Sequence, residues 1–362
     1  MARQLYLNGR FIGGGTTAVN AVAHALTSAL CAADTPDWDI SVAVPESLQE
    51  AAAAQGWPVT VIGQRNGILW EQLELPRLRK QGVIAGFFNT VPLWGRGYVT
   101  MVHDAHVFTT PQSYGRGTRI WRQILSRQAG RKGNAVVTVS SHSRDTLLHH
   151  HIGTAERIGV VPNGLGTVGT QAADVSIFDR LGVSQAGPFC VALASLLPHK
   201  NIGLLLRAFA DEGLADVPLV LIGKADAAAF DAAGLDLPPS VVFAGYVSDG
   251  ELAALYGNAL AVCLPSTQEG FGLPALEAMA LGAPALVSDC GALPEVVGRA
   301  GWVLPADDPS AWRGAILELM QDPSKGAGLI AAGHLRAQDF TWPEAAQSFL
   351  RHLEGWHAQG QL

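Results

Sequence analysis

Cysteine is scarce in this chain of 362 residues. The four, at positions 31, 190, 263 and 290, lie far apart, which argues against a disulfide framework and against a cysteine-ligated metal site. Cys190 and Cys263 fall inside apolar runs, where a reduced thiol packs as a small hydrophobe. No stretch reaches eighteen apolar residues and residues 1–9 contain no signal-peptide core, so the expectation is a soluble, cytoplasmic protein without a membrane span. No pair of acids at a strand end has metal-ligand spacing, and neither a metal nor another cofactor is expected.

Acids are missing altogether from residues 116–132, which carry Arg116, Arg119, Arg122, Arg127, Arg131 and Lys132 interleaved with Ile120, Trp121, Ile124 and Leu125. At helical spacing this is a basic amphipathic segment, and it reads either as a surface for anionic lipid on the inner face of a membrane or as an ordinary solvated face. Nucleic acid is not expected, because no recognised binding motif accompanies the patch. The net charge of −7 conceals an asymmetry: residues 1–165 hold 15 Lys and Arg against 10 Asp and Glu, whereas the remainder holds 9 against 21. The length fits two domains with ample core for each.

What is present is a repeated alternation of strand and helix. The run 5–12, the turn Gly13-Gly14-Gly15 and the Ala-rich stretch 18–30 read as strand, glycine-rich turn and helix, the opening of a Rossmann-like half. Gly14 and Gly15 then offer amides to an anion, while Thr16 and Thr17 equally read as helix caps. The same glycines match a dinucleotide fingerprint loosely. Glu46, the first acid beyond the next strand, comes later than a ribose-binding acid should, so an NAD-dependent dehydrogenase is a weak competitor. Further strands are expected at 40–44, 59–62, 82–86, 98–102 and 135–139. The strand 98–102 delivers His103 and Asp104 at its carboxyl end, where open α/β sheets place ligand-binding groups. Residues 165–187, rich in glycine, are the expected linker.

Alternation restarts at 189–194. The loop from Ser195 through His199 and Lys200 enters a helix over 202–210, with Lys200 placed as a point charge for phosphate. Strands at 218–222 and 241–245 follow, and Ser248-Asp-Gly-Glu251 has the pattern of a capping box. The strand-like run 260–265 then feeds Ser266-Thr-Gln-Glu269-Gly270-Phe271-Gly272-Leu273, with Pro274 opening a short helix that Gly282 closes. A helix N-terminus at a strand's carboxyl end suits a phosphate. Gly270 and Gly272 are expected to let the backbone approach a ligand, with Glu269 at the mouth of the site and Glu277 in the first helical turn. Carboxylates beside an anion site repel phosphate, so their expected partners are hydroxyls. A ligand carrying both is a nucleotide sugar.

Glu269-Gly-Phe-Gly-Leu-Pro-x-x-Glu277 resembles the signature of retaining GT-B glycosyltransferases of family 4, two glutamates with seven residues between them, and the resemblance extends over residues 5–356. It implies an α/β architecture of two Rossmann-like domains facing across a cleft. The N-terminal acceptor domain would span 1–170, joined by a C-terminal helix at 344–358 that crosses back to it, and the donor domain 171–343. It further implies that Lys200, His199 and the loop amides hold the diphosphate of a nucleoside diphosphate sugar, with Ser195 standing where the family commonly has arginine. Glu277 would hold the ribose, Tyr246 and Val247 would border the base, and Ser266, Gly270, Phe271, Gly272 and Leu273 would line the donor. Glu269 would position the sugar, although as a carboxylate it also fits a nucleophile. A His-Asp pair like His103-Asp104 occurs in a bacterial subgroup, one or the other facing sugar or acceptor. The implied reaction transfers a hexose, with retention, to a saccharide acceptor. The basic segment points to a polyprenyl-diphosphate-linked acceptor in surface polysaccharide synthesis. A nucleotide-sugar 2-epimerase and a catalytically silent nucleotide-sugar-binding protein are the other readings.

Overall fold

The computed structural model describes residues 2–15, 17–166 and 171–362. The capping alternative at Thr16 and the start of the expected linker fall outside them. Contacts divide the chain into two compact units, one formed by residues 1–166 with 341–362 and the other running from there to Phe340.

The first unit is a seven-stranded parallel sheet of β1 (Arg3–Asn8), β2 (Trp38–Val44), β3 (Val59–Val61), β4 (Gly82–Gly86), β5 (Tyr98–Met101), β6 (Ala135–Thr138) and β7 (Ile158–Val160), in the order β3-β2-β1-β4-β5-β6-β7. Strands buried on both faces need apolar residues at successive positions rather than alternating ones, and β5 and β6 are buried at every position. β1 is shorter than the expected 5–12, because Gly9–Gly13 tighten into a 3₁₀ turn capped by the Asn8 side chain. The helix Ala18–Cys31 follows, with Thr17 as its N-cap.

The second unit has six parallel strands: β8 (Cys190–Leu193), β9 (Leu219–Ile222), β10 (Val241–Gly245), β11 (Ala261–Leu264), β12 (Ala285–Ser288) and β13 (Trp302–Leu304). Their order is β10-β9-β8-β11-β12-β13. Leu204, Leu205, Phe209, Phe230, Trp312 and Ile316 are buried in its core. The expected capping box is present, since Ser248 accepts from the Glu251 amide and the Glu251 carboxylate accepts from the Ser248 amide. The linker expected over 165–187 is interrupted by a helix, Ser176–Leu181, which buries Ile177 and Phe178. Two apolar residues side by side were too short a signal for the helical period to be legible.

The last helix, Trp342–Ala358, belongs to the first unit. Phe349 meets Phe87 edge-on at 5.3 Å between ring centroids, His352 hydrogen-bonds the Val160 carbonyl, and the Trp356 indole donates to the Glu156 carbonyl. Among the described residues no helix is long and apolar enough to cross a membrane.

Candidate functional site

In an open parallel sheet, ligands bind beyond the carboxyl ends of the strands where the strand order reverses. In the second unit that point lies between β8 and β11, and the loops following these two strands carry the residues singled out by motif. Lys200 ends the 3₁₀ turn Pro198–Lys200 after β8; Ser266 and Glu269 follow β11. The two loops are joined. Lys200 Nζ donates to Glu269 Oε1 at 2.6 Å, and Ser266 Oγ donates to the same oxygen at 2.9 Å. Glu269 is buried, with its side chain only 10% exposed, and a buried carboxylate needs such compensation.

The backbone under this cluster is tied at several points. The Thr267 amide donates to the His199 carbonyl at 2.8 Å, and Ser288 Oγ bonds the Ser266 carbonyl. Asn201, in the left-handed region at φ 52°, donates its side-chain amide to the carbonyls of Pro265 and Ala306. Gly291, at φ 65°, lies so close to Glu269 that a Cβ would fall 2.5 Å from the Glu269 backbone nitrogen. Asn201, Ser288 and Gly291 carried no legible signal in the sequence, since each acts only through a partner distant along the chain.

The central helix spans Leu273–Leu281 and starts from Gly272 at φ 99°, where a Cβ would meet Leu293 at 2.5 Å. Gly272 is therefore required by the turn itself and by packing. Glu277 is the fifth helical residue, outside the first turn where it was expected, so the helix dipole gives it little support. Burial, with a smaller contribution from Asp249, raises its pKa from 4.5 to about 7. Phe271 was expected to line the donor, but its ring is buried and edge-on to Phe340, which leaves only its backbone for a ligand. Ser195 is half-buried after β8, and Val247 is half-buried beside a largely exposed Tyr246 after the edge strand β10.

In the first unit the order reverses between β1 and β4. Gly14 and Gly15 are exposed in the loop after β1; the Gly14 amide donates to the Phe11 carbonyl, and the Asn20 side chain donates to the Gly15 carbonyl. A network the sequence did not disclose lies at this point. Buried Glu71 accepts from Asn8 Nδ2 at 2.7 Å and from Thr90 Oγ1 at 2.6 Å, with Arg10 Nε 3.5 Å away. After β5, His103 is buried and its Nε2 hydrogen-bonds the Phe87 carbonyl at 2.8 Å. Burial pushes its pKa below the ordinary value, against the opposing influence of that carbonyl and of Asp104, so the ring is neutral at neutral pH. Neighbouring Asp104 is more accessible, and its Oδ1 accepts from the His106 amide at 2.9 Å.

Residues 176–336 match the family described as Glycosyl transferases group 1. The chain is 29% identical over 254 residues to O-antigen chain mannosyltransferase B of Escherichia coli, covering 67% of this chain and 66% of that one. It is 34% identical over 233 residues to the MMP alpha-(1->4)-mannosyltransferase of Mycolicibacterium hassiacum, covering 61% and 54%. The matches thus span about half to two thirds of those relatives. Among solved structures, sucrose-phosphate synthase from Thermosynechococcus elongatus superposes with a TM-score of 0.70 at 19% identity, covering 99% of this chain and 100% of that one. HepE of Anabaena, solved in complex with UDP-glucose, superposes with a TM-score of 0.67 at 19% identity, covering 98% and 100%.

Proposed function

With residues 176–336 forming a glycosyl transferases group 1 domain on a two-sheet GT-B architecture, we propose that the protein is a glycosyltransferase that moves a hexose from a nucleoside diphosphate sugar to a saccharide acceptor. The observation that carries this reading is the Lys200–Glu269–Ser266 cluster at the strand-order reversal of the second unit. A cation and a carboxylate held together there match the two chemistries of a nucleotide sugar, phosphate and hydroxyl.

In the proposed reaction the bond between the sugar's anomeric carbon and the diphosphate breaks, and a bond to the acceptor oxygen forms on the same face. The acceptor's proton passes to the departing phosphate. Negative charge grows on that phosphate, and Lys200 together with the amides at the start of the Leu273–Leu281 helix stabilises it, the preorganised electrostatic role that usually contributes most. When phosphate takes the Lys200 ammonium, Glu269 is released to accept hydroxyls of the sugar, while Ser266 keeps the carboxylate oriented. Glu277 accepts the ribose diol. The first unit would receive the acceptor, with Asp104 or His103 orienting a hydroxyl. No metal is needed, since Lys200 and the amides meet the charge.

The names of the relatives make mannose the first hexose to assay and a saccharide of a surface polysaccharide the first acceptor class. The helix Arg116–Ala129 exposes Ile120 and Ile124 between Arg116 and Arg127, an outward face of mixed apolar and basic groups that supports peripheral binding to anionic lipid and so a lipid-linked acceptor. Pelleting with anionic liposomes should fall when Arg119, Arg122 and Arg127 become Ser, and unchanged pelleting would remove this part.

The deciding experiment measures melting temperature with GDP, UDP, dTDP, ADP and NAD in parallel, since a ligand bound only by the folded state raises it. We expect one nucleoside diphosphate to stabilise the protein and Glu277→Ala to abolish the shift; its sugar conjugate then enters a transfer assay. Stabilisation by NAD alone would overturn the proposal.

A further inference from the structure

The pole of the first sheet away from His103 and Asp104, at the amino-terminal ends of its strands, holds a cavity of about 1040 Å³. Its walls come from the amino-terminal ends of β1, β2 and β4, the segments leading into β5 and β6, and the end of the last helix. Five cationic side chains line it: Arg3, Arg79, Lys80, Arg96 and Arg131. No Asp or Glu side chain does, and among the described residues none of the five makes an ion pair. Their sequence positions run from 3 to 131, so the convergence is a product of the fold and was invisible in the chain.

A cation near the end of a helix is ordinarily explained by the exposed carbonyls there. That accounts for Arg79 and Lys80, in the 3₁₀ helix Leu75–Lys80, and for Arg131, just beyond the helix Arg116–Ala129. It does not account for Arg3, at the start of β1, or for Arg96, in the loop before β5. Arg3 is held in place: its guanidinium lies 4.3 Å from the Trp38 ring centroid, and Nη1 donates to His357 Nδ1 at 2.9 Å. Five like charges with no Asp or Glu side chain among the lining residues repel one another, and an anion seated among them relieves that repulsion while gaining charge-assisted hydrogen bonds. At the rim, Trp94 is 75% exposed, an apolar surface that a bare inorganic ion would not use.

We propose that this cavity is a second anion site, separate from the donor site, for a ligand bearing clustered phosphate groups. A soluble phosphorylated metabolite and a phosphorylated lipid headgroup share that chemistry. The proposal does not rest on the transfer reaction.

The test is calorimetric titration of the full chain with inorganic diphosphate, alongside sedimentation with phosphatidylcholine vesicles with and without phosphatidic acid. Three variants are compared with the wild type: Arg96→Ser with Arg131→Ser for the cavity, Lys200→Ala for the donor site, and Arg119→Ser with Arg122→Ser and Arg127→Ser for the basic helix. The cavity variant should weaken one class of anion binding by about tenfold or more, as expected for losing two charged donors. Binding of the stabilising nucleoside diphosphate should be unchanged in it, and Arg96→Lys with Arg131→Lys should restore much of the lost affinity. Loss of diphosphate binding with no vesicle effect identifies a soluble ligand; loss of vesicle binding beyond that of the helix variant identifies a headgroup. If the cavity variant, melting like wild type, binds both probes as wild type does, the proposal is wrong. Failure of all nucleotides to bind wild type would remove the glycosyltransferase reading and leave this result standing by itself.

Discussion

At the scale of single residues, Glu277 and Gly291 give the sharpest expectations. The raised pKa of Glu277 means that, in the empty protein, the native state holds its proton more tightly than the unfolded chain does. Its stability contribution is therefore complete below about pH 4.5 and is lost as pH rises towards about 7. Glu277→Gln, neutral throughout, should match wild type at pH 4 and exceed it at pH 8 by about 1–3 kcal/mol in denaturant unfolding. With Glu277 in its proposed place at the ribose, the same substitution should remove any weakening of nucleotide binding below pH 7, where the wild-type carboxyl would have to surrender its proton to accept the diol. Gly291→Ala should push the Glu269 backbone away and cost about 1–3 kcal/mol, with transfer activity falling more than nucleotide affinity. Lys200, Glu269 and Ser266 were legible because strand, loop and helix signals surround them in unbroken sequence. Glu71 and Arg10 were not: only the fold brings Asn8 and Thr90 to Glu71.

At the scale of elements, ten of the thirteen described strands, β1–β6 and β8–β11, fall where a strand had been expected, since parallel strands buried on both faces advertise themselves by continuous hydrophobicity. Boundaries were less legible. β1 stops at Asn8, four residues short of the end of its apolar run, because Gly9 packs against Val42 and Val44 where no side chain fits. The Ser248 and Glu251 pair was readable because a capping box is wholly local, and Ser248→Ala should destabilise the second unit by about 1 kcal/mol in thermal unfolding. Packing partners of the last helix were unreadable for the opposite reason, lying some two hundred residues away. Phe349, fully buried against Phe87, should cost about 3–5 kcal/mol when changed to Ala, and that loss belongs to the first unit.

At the scale of the whole molecule, two units with separate cores and opposite charge balance invite separate unfolding transitions. Differential scanning calorimetry with the stabilising nucleotide should raise the transition of the second unit, which Ser248→Ala lowers, and leave that of the first, which Phe349→Ala lowers, in place. A single transition moving as one would show instead that the units melt cooperatively. The docking of Trp342–Ala358 on the first unit also fixes an order of events on the ribosome. The second unit is one uninterrupted stretch and can close as soon as it emerges, whereas the first, though its strands are translated earlier, waits for contacts such as His352 with Val160 and Trp356 with Glu156, 192 and 200 residues apart. Throughout that wait the Phe87 ring and the flank of β7 lack their cover. A chain released near residue 340 would hold a complete second unit while the first kept an open apolar seam, the form of this protein that chaperones and proteases would meet first.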